Sequence, residues 1–242
     1  MAKRRVFTAN QETASPLRSL LFLVIFLMVF CEGIAAQQKE FLPEIDIYLR
    51  LNPNVRLHGQ VQNAREGSDP TQLTIGPDLQ FYLKPLIRLK EIAAFDLDDA
   101  KSRPLVLSAG YRLLATPGSP PTNRMVLTAT SHLPLKRWLL ISDRNRADLD
   151  WSDEEFKWRY RNRLDVEKSM TIHSYRPAPY SSIEVYYEEQ YHKWSTTEID
   201  VGCLLPLGKH FEFDPYYKHQ NNTGKSPNQQ LNGIGLILDA YF

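Results

Sequence analysis

Apolar and polar residues alternate from Ile45 to the end of the chain, in segment after segment broken by turn residues. In the first segment Ile45, Ile47 and Leu49 are separated by polar or aromatic residues, and the turn Asn52-Pro53-Asn54 follows. A period of two places successive side chains on opposite faces of a β-strand, so each segment has one apolar and one polar face. The pattern predicts an all-β chain built from antiparallel hairpins. Further segments cover about residues 55–62, 73–83, 104–116, 123–132, 138–149, 156–168, 183–191, 196–205, 210–220 and 231–242.

The segment 156–168 has the clearest alternation and indicates what kind of sheet fits. Trp158 and Tyr160 lie on its apolar face, and the other face carries Lys157, Arg159, Arg161, Arg163, Asp165 and Glu167. A face with so many charges cannot pack against a second sheet, whereas it can line the interior of a barrel whose apolar face meets lipid. A soluble exported β-sandwich that binds a ligand is the alternative, because alternation alone fits both architectures.

The first 36 residues have the pattern of a cleaved signal peptide. Basic residues at positions 3–5 precede the apolar run 20–31, and the small residues Ala35 and Ala36 follow. This run is shorter than the roughly 17 apolar residues that a membrane-spanning helix needs. We therefore expect export through a leader of residues 1–36 and a β-barrel domain of residues 37–242.

The end of the chain and the strand lengths favour a transmembrane β-barrel in the outer membrane of a Gram-negative bacterium. The segments are near the roughly 9 to 11 residues that a tilted strand needs to cross a bilayer. We count about eleven strands and prefer twelve, with ten as the alternative, because such barrels usually have an even number. A twelfth strand would lie in Leu86–Leu97 or Met170–Tyr175. The final alternation resembles the C-terminal signature by which outer-membrane barrels are recognised for assembly, and it consists of Ile234, Leu236, Leu238 and Phe242.

Several segments from Arg144 onward stand out: Arg144-Asn145-Arg146, Trp158-Arg159-Tyr160-Arg161-Asn162-Arg163, Pro179-Tyr180 leading into Glu184, Gly202, Pro215-Tyr216-Tyr217 and Tyr241-Phe242. Together they resemble the bacterial domain-of-unknown-function 2490 family (DUF2490). The resemblance runs over most of the mature chain and is strongest in its second half. It implies an outer-membrane β-barrel, and it brings no site residues because the family has no established activity.

Charged residues on the polar faces form two groups that would meet in the lumen of a barrel. In the first interpretation they line a narrow, porin-like pore for small polar solutes, where a basic wall and an acidic wall set a preference among ions. In the second, ion pairs fill the lumen of a structural or binding barrel, because buried charges need partners. The residues concerned are Arg144, Arg146, Arg159, Arg161, Arg163, Glu184, Glu188, Glu198, Asp200, Glu212 and Asp214.

The search for catalytic, cofactor and metal motifs gives no site. No His is followed two residues later by Ser, and the six histidines lack close metal-ligand spacing. We therefore expect no enzyme, no cofactor and no metal, with a membrane-embedded hydrolase of lipid or peptide as the alternative. Asp96, Asp98 and Asp99 are interpreted as a solvated acidic loop. Once the leader is removed, Cys203 is the only cysteine, so no intramolecular disulfide is expected.

The charge balance argues against a nucleic-acid partner. Without residues 1–36 the chain carries 25 Lys and Arg against 26 Asp and Glu, so it has no net basic surface. The expected partners are outer-membrane lipid and the machinery that assembles outer-membrane barrels. The sequence pattern does not indicate the oligomeric state.

Overall fold

The computed structural model describes residues 38–67, 69–83, 96–153, 155–224 and 226–242. The predicted leader lies outside the described residues. Short 3-10 helices occur at Asp99–Ser102 and Glu189–Tyr191. The strands are β1 Gln38–Asn52, β2 Val55–Glu66, β3 Asp69–Leu83, β4 Leu105–Ala115, β5 Thr122–Lys136, β6 Leu139–Ser152, β7 Glu155–Lys168, β8 Ala178–Glu188, β9 Lys193–Leu207, β10 Phe211–Asn222 and β11 Gln229–Tyr241.

These strands form one closed sheet. Each strand pairs antiparallel with the strands before and after it in the chain, and β1 pairs with β11 to close the barrel. The closing pair is parallel, in register from Gln38 beside Leu231 to Tyr48 beside Tyr241. The predicted all-β barrel is confirmed, and the alternative of a β-sandwich is wrong, because a single closed sheet replaces two packed ones.

The described residues contain eleven strands, and our preference for twelve is wrong for them. An even number is required only when the first and last strands run antiparallel, and here they run parallel. Of the two places where we expected a twelfth strand, Met170–Tyr175 forms a tight turn with a single bridge between Ile172 and Tyr175. Most of the other place, Leu86–Leu97, lies outside the described residues.

The two faces of the sheet have inverted polarity relative to a soluble protein. Large apolar side chains such as Ile45 and Ile234 are each 50% exposed on the outside. The buried set on the inside is mainly polar, and its most fully enclosed members include Asp148, Glu184 and Glu212. This arrangement suits a barrel with hydrocarbon outside and a polar lumen. Among the described residues, no helix is long and apolar enough to span a bilayer.

Glycines make room for tyrosines in the wall that carries much of the acidic lumen surface. Tyr216 lies beside Gly235, where an added Cβ would be 1.9 Å from the tyrosine Cε1. Tyr180 lies in the same way against Gly202, at 2.7 Å from such a Cβ. Any larger residue at these positions would displace the tyrosine. The glycines therefore leave the space beside the wall that the two rings occupy.

Candidate functional site in the barrel lumen

Asp148 on β6 is the centre of the basic wall. Its side chain is 0% exposed, and its two oxygens lie 2.6 Å from Arg146 Nε and 2.8 Å from Arg159 Nε. Arg161 and Arg124 lie farther out, at 3.9 Å and 4.0 Å. One carboxylate therefore faces four guanidinium groups. Sequence reasoning omitted Asp148 and Arg124, although the period of two places Asp148 on the same face as Arg146.

Glu184 on β8 is the second centre, and it joins the basic wall to the acidic one. Arg161 binds it in a bidentate manner, with both nitrogen to oxygen distances 2.8 Å, and Arg144 lies at 3.3 Å. The Arg161 guanidinium also stacks over the Tyr186 ring, 4.3 Å from its centroid. The Tyr186 hydroxyl donates to Glu198 at 2.8 Å. Arg144, Arg161, Glu184 and Glu198 thus belong to one hydrogen-bonded network, which approaches Asp148 through Arg161.

The remaining lumen positions on β7 to β9 fall into two groups. Arg163 pairs with Asp165 at 2.7 Å and with Asp200 at 3.3 Å. Glu188 lies at the end of β8 and accepts a hydrogen bond from the Ser195 hydroxyl. The arginines on this side of the lumen all have carboxylate partners, so they are not free charges along a path.

A histidine that the sequence analysis did not select lies between two carboxylates on the neighbouring wall. His58 Nδ1 is 2.7 Å from Asp78 Oδ2, and His58 Nε2 is 3.1 Å from Asp46 Oδ1. Its ring stacks on Tyr48 with centroids 4.5 Å apart. Arg112 donates to the same Asp78 oxygen at 2.6 Å. The cluster ties β1, β2, β3 and β4 together across their inward faces.

Four carboxyl groups form a strip across β1, β11 and β10, here called the acidic strip, and of these only Asp46 has a cationic partner among the described residues, His58. Asp46 is the register neighbour of Asp239, and Asp239 is the register neighbour of Glu212. Glu212 is 1% exposed, and its Oε2 has no hydrogen-bond partner in the described part of the chain. Asp214 follows on the same face and accepts from the Tyr180 hydroxyl at 2.8 Å. Within the described ranges no group of three or more His, Cys, Asp or Glu side chains could hold a metal ion.

Residues 96–103, between β3 and β4, cross the lumen and are here called the crossing segment. Asp98 accepts from Arg56 of β2 at 2.5 Å. Lys101 Nζ donates to Asp96 at 2.5 Å and to Glu167 of β7 at 2.7 Å. β2 and β7 are five strands apart in a ring of eleven, so the segment is tied to opposite walls. The interpretation of the aspartates as a solvated loop is wrong, because an alternation pattern contains no signal for a connection that enters the barrel.

Local geometry and charge fix the crossing segment. The Asp98 side chain caps the 3-10 helix Asp99–Ser102 by accepting from the Ala100 N–H at 3.0 Å. Burial alone would raise the pKa of Asp98, but Arg56 and Lys101 outweigh it and lower that pKa to about 2. Burial would likewise lower the pKa of Lys101, yet Asp96 and Glu167 hold it well above its usual range. Asp98 and Lys101 therefore carry their charges at neutral pH.

Comparisons with known proteins bear on the fold of this barrel. No protein-family model matches the chain, and no curated protein matches it significantly. Among solved structures, a bacterial polysaccharide outer membrane secretin matches with a TM-score of 0.50 and 7% sequence identity. This chain therefore shares a β-barrel fold with an outer-membrane protein. The match covers 76% of this chain and 63% of that chain, so this barrel spans less than two thirds of the secretin's length. At such identity the likeness concerns the fold alone, and the resemblance to DUF2490 stays a prediction.

Proposed function

We propose that this chain is a non-enzymatic outer-membrane barrel whose lumen is a narrow passage for small cations, closed at rest by the crossing segment. The observation that carries the proposal is the tie across the lumen, from Arg56 through Asp98 and Lys101 to Glu167. A segment held by ion pairs at both walls obstructs the lumen while the pairs persist. It can be released without breaking the backbone ladder of any strand.

The two sides of the lumen support different parts of this proposal. On β6 to β8 the arginines are paired with carboxylates, which favours the structural interpretation of that wall. On β10, β11 and β1 the acidic strip has no cationic partner for Asp239 or Glu212 among the described residues. Unpaired carboxyl groups along a pore attract cations and repel anions when they are ionised. Small cations are therefore the solute class that fits.

The hydrogen bonds of four of the six histidines favour a non-enzymatic barrel over a membrane-embedded hydrolase. His58 contacts two aspartates, His219 contacts Asn232, and His132 and His210 contact backbone carbonyl oxygens. A serine nucleophile needs a histidine within hydrogen-bond reach to take its proton. None of these described contacts supplies that pairing.

The membrane location predicts heat-modifiable migration. The chain expressed with its leader should stay in the outer membrane after an alkaline wash, because its outward face is mainly apolar. Unboiled protein should migrate faster in a detergent gel than boiled protein, since a closed barrel resists unfolding by detergent alone. Extraction by alkali without a gel shift would contradict the membrane location.

The acidic strip predicts cation preference. In an alkaline buffer that ionises the buried carboxyl groups, combined Glu212→Gln and Asp239→Asn substitutions should move the reversal potential under a KCl gradient toward zero, because the unpaired charges that favour potassium are gone. The measurement is a planar-bilayer recording of the purified barrel. Combined Glu66→Gln and Glu155→Gln substitutions remove the same charge from exposed rim positions and should leave the reversal potential unchanged. Equal potentials for both double variants would show that the strip does not line the path.

A further inference from the structure

Four polar side chains lie on the outward face of β6 and β7, where the barrel would meet lipid. Arg144 and Arg146 contact lumen carboxylates, so Asn145 between them points outward. Asn145 is beside Asn162 in the register of the two strands, near the middle of each. This set, here called the outward polar cluster, consists of Asp143, Asn145, Tyr160 and Asn162.

The cluster is hydrogen-bonded internally but not completely. Asp143 accepts from Asn162 at 2.8 Å and from Asn145 at 3.0 Å, and the Tyr160 hydroxyl donates to Asn145. Asn162 also donates to Asn145 at 3.2 Å. In the described contacts this leaves one amide N–H of Asn145 and the side-chain oxygen of Asn162 without a partner. A free donor and a free acceptor therefore lie side by side on the outer surface.

Such a cluster is unfavourable against lipid tails. Hydrocarbon offers no hydrogen bonds, and ionisable residues at membrane depth normally mark a place that protein or water covers. The cluster lies halfway along its strands, between outward positions occupied by Leu164 and Trp158, which are 42% and 38% exposed. Lipid headgroups lie at the membrane surface and therefore cannot cover a cluster at this depth. A protein surface can cover it.

The surfaces on the two sides of the cluster differ in shape. Toward β4 the wall forms a shallow apolar groove lined by Ala109, Ala129 and Ala147 together with Leu107, Leu127 and Phe81. Toward β9 an aromatic ridge stands out, in which the Trp158 and Tyr187 rings are 5.7 Å apart and the Tyr187 and Trp194 rings 5.8 Å apart. The ridge lies near the β6–β7 end of the barrel, whereas the groove runs from Asn145 and Tyr160 of the cluster toward the opposite end.

We propose that this face is the interface of a two-fold dimer, and that the outward polar cluster is covered by a second copy of this chain. A two-fold axis along the membrane normal at the cluster brings the Asn145 and Asn162 side chains of two copies face to face at the same depth. The same axis lets the free Asn145 N–H donate to the free Asn162 oxygen of the partner subunit, once in each direction. A self-complementary donor and acceptor, beside small side chains that permit close approach, favours a second copy over an unrelated partner. The proposal rests on the membrane location proposed above.

Cysteine cross-linking in native membranes tests which face meets the partner. In a Cys203→Ser background, Ala147→Cys should give a disulfide-linked dimer on mild oxidation, because Ala147 adjoins the cluster on the outward face. Ile45→Cys is the matched control, since Ile45 is outward on β1, five strands from β6. Cross-linking through Ile45→Cys and not Ala147→Cys would overturn the proposal, as would a product of Ala147→Cys with a different protein.

A second measurement separates an interface from a purely structural cluster. In lipid vesicles, combined Asn145→Leu and Asn162→Leu substitutions should raise the dimer dissociation constant on the order of tenfold, read by single-molecule photobleaching. The barrel itself should unfold at an equal or higher urea concentration, because polar groups leave a lipid-facing surface. An unchanged dimer, or a wild-type protein that is monomeric at every density yet resists alkaline washing, would refute the dimer alone. Loss from the membrane on washing would instead refute the proposed location.

Discussion

Lys101→Gln is expected to open the barrel, with a large rise in the fraction of time that it conducts in a planar bilayer. The substitution leaves Asp96 and Glu167 buried without their shared cation. Removing one partner of a buried ion pair costs about 3 kcal/mol or more, and about 3 kcal/mol shifts a two-state equilibrium by roughly a hundredfold. The equilibrium here is between the crossing segment held in the lumen and the same segment released.

Two further variants test whether the opening comes from loss of the buried ion pairs of Lys101. Lys157→Gln removes a lysine whose pair with Glu155 is exposed, at 52% and 70% of the two side chains, and should conduct as the wild type does. Lys101→Gln combined with Glu167→Gln removes one of the two uncompensated carboxylates and should restore part of the closure. If the conductance of Lys101→Gln matches that of the wild type, the crossing segment does not close the barrel.

Asp148→Asn is expected to lower the free energy of unfolding by about 3 to 5 kcal/mol, the cost of breaking a buried ion pair from one side. Asp148 is the carboxylate that four arginines face, and its side chain has no exposure. The neutral amide leaves their guanidinium groups crowded together in the lumen. Urea unfolding of the barrel in lipid vesicles measures the change.

The matched control for this prediction is Asp165→Asn on β7. Its partner Arg163 keeps a second carboxylate, Asp200, at 3.3 Å. We therefore expect a loss of about 1 kcal/mol or less, since the remaining pair compensates for the missing one. Equal losses for the two variants would show that the four-arginine arrangement has no special role in stability.

The sequence pattern was sufficient to predict which side chains face the lumen. A period of two is set by strand geometry alone, so Arg144, Arg146 and Arg161 could be assigned to one face without knowledge of their partners. Their partners could not be assigned. Whether Arg161 meets Asp148 or Glu184 depends on the register between strands, and local alternation carries no information on register.

The number of strands and the entry of the crossing segment into the lumen could not be predicted either, because both depend on contacts between residues distant in the chain. The number of strands depends on how β1 meets β11, which are the strands most distant from each other in the chain. The entry of the crossing segment into the lumen depends on Arg56 and Glu167, which lie 42 residues before Asp98 and 66 residues after Lys101. An acidic run in a long connection has the same composition whether water or a lumen surrounds it.

The parallel closure also has a consequence for the order of folding. Ten of the eleven described strand pairings join neighbours in the chain, so each can form as a hairpin with a small loss of chain entropy. The eleventh brings Gln38 beside Leu231, and parallel ladders are slightly weaker per residue than antiparallel ones. Closure is therefore the slowest and most reversible pairing, and the seam between β1 and β11 is where the finished barrel would first come apart under heat or force.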